Sequence, residues 1–91
     1  MQLTIKLGST LRRVRPDWAG GEGFLELPSE GRVIIDDVIL ALDLAPEDVN
    51  LIYRNHRLVS ATAKVQDGDR VALFPPNFIH FSQFYLKRGA D

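Results

Sequence analysis

One helical segment stands between two groups of residues that alternate in polarity, and this order restricts the folds open to the chain. Apolar residues recur every three or four positions between Ile35 and Leu42, which is the spacing of one face of a helix. The pair Asp36-Asp37 lies in the predicted first turn, where the helix dipole favours negative charge. Since Pro46 disfavours the helical conformation of the residue before it, we expect the helix to end near Leu44.

Two strands are predicted before the helix. Residues 3–7 alternate apolar and polar, and we expect extended structure to continue through residues 11–14. Residues 16–23 are rich in glycine and form a turn, after which residues 24–27 form a second short strand. The two strands therefore predict an antiparallel hairpin with a long connection.

Three further strands are predicted after the helix. Val49, Leu51 and Tyr53 occupy every second position and give the third strand. The pair Asn55-His56 then predicts a tight hairpin turn, because both residue types tolerate the positive φ angles of a type I′ turn. Residues 57–59 would form the short returning strand.

The last strand, residues 71–74, carries apolar side chains on both of its faces. Such a strand is expected to be largely buried and central, beside the first strand. The order of elements predicts an α+β, ubiquitin-like β-grasp fold, a mixed four- to five-stranded sheet packed on one helix. The predicted domain comprises residues 1–76, and residues 77–91 form a C-terminal aromatic extension.

Four stretches carry a family likeness. Residues 34–44 resemble the helix of the ubiquitin-like sulfur carriers (MoaD/ThiS-like), which include the small subunit of molybdopterin synthase and the thiamine-biosynthesis carrier. Residues 55–59 resemble their Asn-Gly-Arg-Leu-Val hairpin, with His56 in place of glycine. Residues 67–71, followed by Phe74-Pro75-Pro76, match their closing signature. The resemblance implies the β-grasp fold.

The chemistry of that family depends on a terminal Gly-Gly, whose carboxylate is adenylated and then converted to a thiocarboxylate. Here no glycine pair follows Pro76, and the last three residues are Gly89-Ala90-Asp91. The only Gly-Gly of the whole sequence is Gly20-Gly21, in the connection between the first two predicted strands. The resemblance without the diglycine therefore implies a non-catalytic protein-binding module or small subunit. Its partner would be an activating enzyme or a metal- or pterin-cofactor enzyme. The alternative is a sulfur carrier for molybdopterin or thiamine biosynthesis that is activated after C-terminal processing.

The C-terminal extension is apolar and carries no formal charge before Lys87. Its periodicity suits one face of a short helix that begins near Asn77. The segment either packs on an open face of its own sheet or anchors another protein, and self-association belongs to the second alternative. The predicted partner-binding residues of this extension are Phe78, Ile79, Phe81, Phe84, Tyr85 and Leu86.

Other site chemistry finds little support in the sequence. The chain has no cysteine, and His56 and His80 lie far apart, so we expect no metal site, no catalytic residues and no cofactor. The net charge of −1 gives no field that favours nucleic acid or membrane, and a cytoplasmic protein is expected. The one basic cluster, residues 12–15 with Lys6 nearby, is interpreted as a solvated strand face or as a contact for a phosphate or an acidic partner.

Overall fold

The computed structural model describes residues 1–76, which form one sheet and one α-helix. Short 3₁₀ segments occupy Ser9–Val14, Ala19–Gly21 and Pro46–Asp48. In chain order the main elements are β1 Gln2–Leu7, β2 Glu22–Glu26, α1 Ile35–Ala41, β3 Leu51–Arg54, β4 Arg57–Leu58 and β5 Arg70–Phe74.

The five strands form a single mixed sheet in the order β2-β1-β5-β3-β4. The central pair β1 and β5 is parallel, whereas β2, β3 and β4 each pair antiparallel with their neighbours. The first and last strands therefore lie side by side in the middle, as predicted. The architecture is the predicted α+β, ubiquitin-like β-grasp.

Helix α1 covers one face of the sheet and forms the core with it. With only seven residues, α1 is too short to be stable alone, so its apolar face must supply the stability through packing. Burying one such aliphatic side chain contributes about 1.5–3 kcal/mol. The core consists of Leu3, Ile5, Leu7, Leu11, Ile35, Val38, Ile39, Leu42, Leu44, Ile52, Val65, Val71 and Leu73.

Side-chain and backbone hydrogen bonds define both ends of α1. The carboxylate of Asp37 accepts a hydrogen bond of 2.9 Å from the backbone N–H of Ile34, so the predicted first-turn acid satisfies a free donor. The helix ends at Ala41, earlier than the predicted Leu44. The Leu44 N–H still donates to the carbonyl of Ile39 at 3.1 Å, so a turn rather than a helix holds this buried residue.

The segment after β1 differs from the prediction. Residues Ser9–Val14 form a 3₁₀ segment, not extended structure. The Gly8 N–H makes the last hydrogen bond to the neighbouring strand, to the Leu73 carbonyl at 2.9 Å. The Leu11 N–H then donates to the Gly8 carbonyl at 3.1 Å, and this turn directs the Leu11 side chain into the core. The chain therefore stops pairing with β5 after Gly8 and buries Leu11 instead.

The hairpin turn between β3 and β4 has the predicted backbone. The φ angles are +51° at Asn55 and +70° at His56. The Asn55 side chain also fastens this turn to the start of β5, because its amide donates to the Asp69 carboxylate at 3.0 Å and its carbonyl accepts from the Arg70 N–H at 2.9 Å. Asn55 thus links the hairpin turn to the start of β5 and is itself a turn residue.

Candidate functional site

The sheet has a second face, which points away from α1 and which we call the open face. Side chains alternate along each strand, so the open face carries the residues between the core positions. Backbone pairing aligns one open-face residue from each strand into a row across the whole sheet. From β2 to β4, this row consists of Glu22, Lys6, Ala72, Tyr53 and Leu58.

The part of the open face on β3, β4 and the end of β5 is apolar. The rings of Tyr53 and Phe74 meet edge to face, with centroids 5.9 Å apart and an interplanar angle of 87°. Leu51 pairs with Phe74 across the sheet, and Leu58 pairs with Tyr53 and is 62% exposed. We call these residues, together with Ala72, the apolar half. An apolar cluster of this kind, with Leu58 exposed and its other members partly buried, is typical of a protein-binding surface.

Gly8, which directly follows β1, positions the aromatic ring of Phe74. A Cβ atom placed on Gly8 would lie 2.3 Å from Cδ1 and 2.5 Å from Cε1 of Phe74. The ring therefore lies directly against the Gly8 backbone, in space that any other residue type would occupy. Because Gly8 has no side chain, the ring of Phe74 on β5 can lie directly beside the end of β1.

The other part of the open face is charged. Arg70 on β5 and Glu22 on β2 form an ion pair of 3.2 Å that reaches across β1. The hydrogen bond from Arg70, and then its positive charge, lower the pKa of Glu22 below its ordinary value, and the Lys6 ammonium has a smaller effect in the same direction. The Lys6 ammonium donates to the Gly20 carbonyl. These three side chains form what we call the charged half. Phe24, 68% exposed, lies beside it on β2 opposite Thr4.

A shallow hollow of about 470 Å³ lies where the two halves meet. Its floor is aromatic and aliphatic, and its rim is basic. Such a surface can receive an apolar side chain of another segment, with polar groups held at the edge. The lining residues are Lys6, Tyr53, His56, Arg70, Ala72 and Phe74.

The described residues do not group into a metal site. Within residues 1–76, no cluster of three or more histidine, cysteine, aspartate or glutamate side chains is placed to hold a metal ion. No helix in this range is long and apolar enough to cross a membrane.

The structure separates the predicted basic cluster. Arg12 and Arg13 are exposed on the 3₁₀ segment, so the predicted strand face is wrong for them. The Arg15 guanidinium lies over the Trp18 ring, 5.8 Å from its centroid. Lys6 lies on the open face, where its ammonium donates to the Gly20 carbonyl. The chain turns after Gly8, and this turn removes the common face that a continuous strand would have provided.

The predicted partner-binding residues 78–86 lie outside the described residues. The described chain leaves the sheet directly after Phe74, with Pro75 buried and Pro76 exposed. The open-face residues were missed as a site by sequence reasoning. The alternation of Leu51 and Tyr53 was a signal for this surface, because it predicts that both side chains lie on one face of the sheet. In the structure that face is the open face, since Ile52 between them points into the core.

Comparison with known proteins gives one family match. The model of the ThiS family matches residues 23–77, which is more than half of the chain. None of the curated proteins compared with the chain matches it.

Several solved structures share the fold. SAMP1 from Haloferax volcanii is 20% identical with a TM-score of 0.62, covering 84% of this chain and 96% of that one. A putative molybdopterin converting factor, subunit 1, from Pyrococcus furiosus is 26% identical with a TM-score of 0.60, covering 82% and 97%. The structure titled H. volcanii small archaeal modifier protein 1 is 19% identical with a TM-score of 0.62, covering 81% and 95%.

Proposed function

We propose that this chain, which belongs to the ThiS family, is a non-catalytic ubiquitin-like module that binds another protein through the open face of its sheet. The observation that carries the proposal is the apolar half, where Tyr53 and Phe74 form an ordered aromatic contact and Leu58 is 62% exposed. Aromatic residues in this setting are frequent energetic anchors of interfaces.

The sequence after the domain supports contact in place of sulfur transfer. A thiocarboxylate carrier needs a thin diglycine segment, because glycine lets the backbone approach a nucleotide closely. At this point the chain has Asn77, and residues 78–86 include four aromatic side chains. Bulky apolar side chains suit an interface and do not suit a narrow channel.

The partner we propose is an activating enzyme or a metal- or pterin-cofactor enzyme that keeps this chain as a small subunit. The Pyrococcus protein described as a putative molybdopterin converting factor subunit supports the second form, since its name implies assembly with another subunit. In either form, the predicted partner-binding residues 78–86 would add a second contact to that enzyme.

Two leucines give a matched test of the binding surface. Leu58 is 62% exposed on the open face, and Leu40 is 60% exposed on α1, on the other side of the domain. The affinity of each variant for a sulfur-carrier-activating enzyme and for the large subunit of molybdopterin synthase is measured by sedimentation without ATP. Leu58→Ser should weaken binding by about tenfold, equivalent to about 1.4 kcal/mol, and Leu40→Ser should leave it within about twofold.

Equal affinities of Leu58→Ser and Leu40→Ser for a partner that binds the unchanged chain would contradict the proposed surface. Failure of both enzymes to bind the unchanged chain would contradict the proposed partners. Thermal unfolding of both variants checks that neither has lost its fold.

The second candidate function is a carrier that becomes active after proteolysis. Family membership favours it, and so does the exit of the chain through Pro75-Pro76, which match the closing signature of the carriers. Cleavage would have to expose a usable carboxylate within residues 77–91, where Gly89 is the only glycine. The intact masses of the full chain and of a chain cut back to end at Gly89, after reaction with ATP, a sulfur-carrier-activating enzyme and a sulfur donor, distinguish the two candidates.

A further inference from the structure

Strand β2 forms one edge of the sheet. Among residues 1–76, no strand pairs with the side of β2 that points away from β1, which we call the outer edge. We infer that the outer edge binds an extended segment of another protein that carries an apolar residue between two basic ones. The added strand would continue the sheet beyond β2. This inference goes beyond the proposed function, because it concerns a strand edge and not the apolar half.

Hydrogen bonds at the start of the chain show which backbone groups of β2 point outward. Met1 and Leu27 exchange two bonds, since the Met1 ammonium donates to the Leu27 carbonyl at 2.6 Å and the Leu27 N–H donates to the Met1 carbonyl at 2.9 Å. Hydrogen-bonded pairs alternate along antiparallel strands, so the residues two and four positions before Leu27 pair with β1 in the same way. The N–H and carbonyl groups of Phe24 and Glu26 therefore point away from β1, toward an added strand.

The same residues place an aromatic ring between two carboxylates on the open face. Phe24 lies opposite Thr4 and is 68% exposed. The Glu26 side chain is 75% exposed, and its carboxylate lies 3.9 Å from the N-terminal ammonium. On the other side of Phe24, Glu22 pairs with Arg70 at 3.2 Å. An apolar residue opposite Phe24 and basic residues on either side of it would give favourable cross-strand pairs.

A second copy of this chain fits the outer edge poorly. The antiparallel register that pairs all five residues of β2 with a second β2 places Phe24 opposite Phe24. The same register places Glu22 of one copy opposite Glu26 of the other at both ends of the paired strands. Like charges directly opposite each other destabilise strand pairing, and charged residues on an edge strand commonly prevent self-association. The carboxylates therefore disfavour a second copy and favour a basic segment.

Trp18 supports β2 from the face of the sheet that carries the core. Gly23 lies opposite the buried Ile5, and a Cβ atom on Gly23 would lie 2.2 Å from Cε2 and 2.3 Å from Cδ2 of Trp18. The indole ring therefore lies directly against the strand backbone, with the Arg15 guanidinium 5.8 Å from its centroid. These contacts hold β2 without using its outer edge. A strand that is already in place lowers the entropic cost of adding another.

The opposite edge of the sheet is less suited to a basic segment. Strand β4 has only two residues, Arg57–Leu58, whereas β2 has five. Two residues are fewer than a strand usually contains, so an added segment would gain few backbone hydrogen bonds. The charge of Arg57 would also repel basic side chains. Charge and length therefore both favour the outer edge of β2.

A synthetic peptide tests the inference on the full chain. The probe is Thr-Arg-Thr-Val-Thr-Arg-Thr, acetylated and amidated, in which the β-branched residues favour an extended conformation. In an NMR titration we expect the backbone amide signals of Phe24 and Glu26 to shift and that of Leu40 on α1 to stay in place. A control peptide with glutamate in place of both arginines should bind about tenfold more weakly.

The variant Phe24→Pro tests backbone pairing at the outer edge. Proline lacks an N–H, and the N–H of residue 24 points away from β1, so the hydrogen bonds between β1 and β2 should remain. We expect Phe24→Pro to lose peptide binding. Phe24→Ala, which keeps the N–H and removes the ring, should weaken binding by only about threefold. Glu26→Lys should bring the affinities of the arginine and glutamate peptides within about twofold of each other.

N-methylated peptides test the same pairing without a change in the protein, should Phe24→Pro fail to fold. Successive N–H groups of an extended peptide point to opposite edges. One peptide is methylated at the valine nitrogen and another at the nitrogen of the following threonine. One of the two should lose binding and the other should keep it.

Several results would overturn the inference. Unshifted amide signals in β2, equal affinity for the arginine and glutamate peptides, or full binding by folded Phe24→Pro would each do so. Equal behaviour of the two N-methylated peptides would exclude edge pairing. Shifts concentrated at Arg57 and Leu58 would assign the peptide to β4. A dimer of the unchanged chain that Phe24→Pro dissociates would assign the outer edge to a second copy. The titration contains neither enzyme of the proposed function, so its result does not depend on that proposal.

Discussion

Replacing Gly8 by alanine should disturb the open face through one side chain. The Gly8 backbone has φ −97° and ψ 151°, an extended conformation that alanine adopts without strain. The added methyl group would lie 2.3 Å from Cδ1 of Phe74, so the ring must move. Its edge-to-face contact with Tyr53, at 5.9 Å, would then be lost or weakened.

The magnitude follows from two opposing effects. Loss of the contact between the Phe74 and Tyr53 rings costs about 0.5–1.5 kcal/mol, and crowding in a packed site adds about 1–3 kcal/mol when neighbours yield poorly. Replacement of glycine by alanine at a compatible backbone position stabilises by about 0.4–1 kcal/mol through the unfolded chain. Since the stabilising effect offsets part of these two costs, we expect Gly8→Ala to lower the free energy of unfolding by about 1 kcal/mol.

A double-mutant cycle with Phe74→Ala isolates the cause. Without the ring, the clash is absent, and Gly8→Ala should stabilise the domain by about 0.4–1 kcal/mol. The coupling free energy between the two positions is therefore expected at about 1–2 kcal/mol, measured by urea unfolding with unchanged m-values. Additive effects of the two substitutions would refute the claim that Gly8 acts by positioning Phe74.

Three further predictions concern stability. His56→Gly should raise the free energy of unfolding, measured with urea, by about 0.5–1 kcal/mol, because glycine adopts φ +70° without steric cost. A loss of stability would contradict the assigned turn. Asn55→Ala should cost about 1–2 kcal/mol in the same assay, since the bonds to Asp69 and Arg70 disappear, and an unchanged midpoint would contradict their role. Because Arg70 lowers the pKa of Glu22 in the folded state, the contribution of that pair is present at neutral pH and is lost as pH falls through the lowered value. The melting temperature of the Glu22→Gln variant should therefore lie below that of the unchanged chain near pH 7. Below about pH 4 the two melting temperatures should approach each other. A difference between them that grows in acid would contradict the ion pair.

The sequence was sufficient for the elements that depend on local chemistry. The spacing of apolar residues predicted α1, and the tolerance of Asn55 and His56 for positive φ predicted the hairpin turn. A last strand with apolar side chains on both faces predicted the central position of β5 beside β1.

The sequence pattern does not determine which residues of β3 lie on the open face. Leu51, Ile52 and Tyr53 are all large and apolar, so alternation alone does not tell which of them points to the helix. Pairing with β5 decides it, because Ile52 lies opposite the buried Leu73. The contact of Phe74 with Gly8 likewise joins residues far apart in sequence, and no local signal predicts it.

The intact mass of the chain, both at full length and cut back to end at Gly89, after incubation with ATP, a sulfur-carrier-activating enzyme and a sulfur donor, tests most directly whether the chain binds or carries sulfur. A family carrier that ends in Gly-Gly serves as the positive control in the same mixture. We predict that the carrier gains the mass of one sulfur replacing one oxygen and that this chain keeps its mass. The same gain in this chain would contradict a role in binding alone.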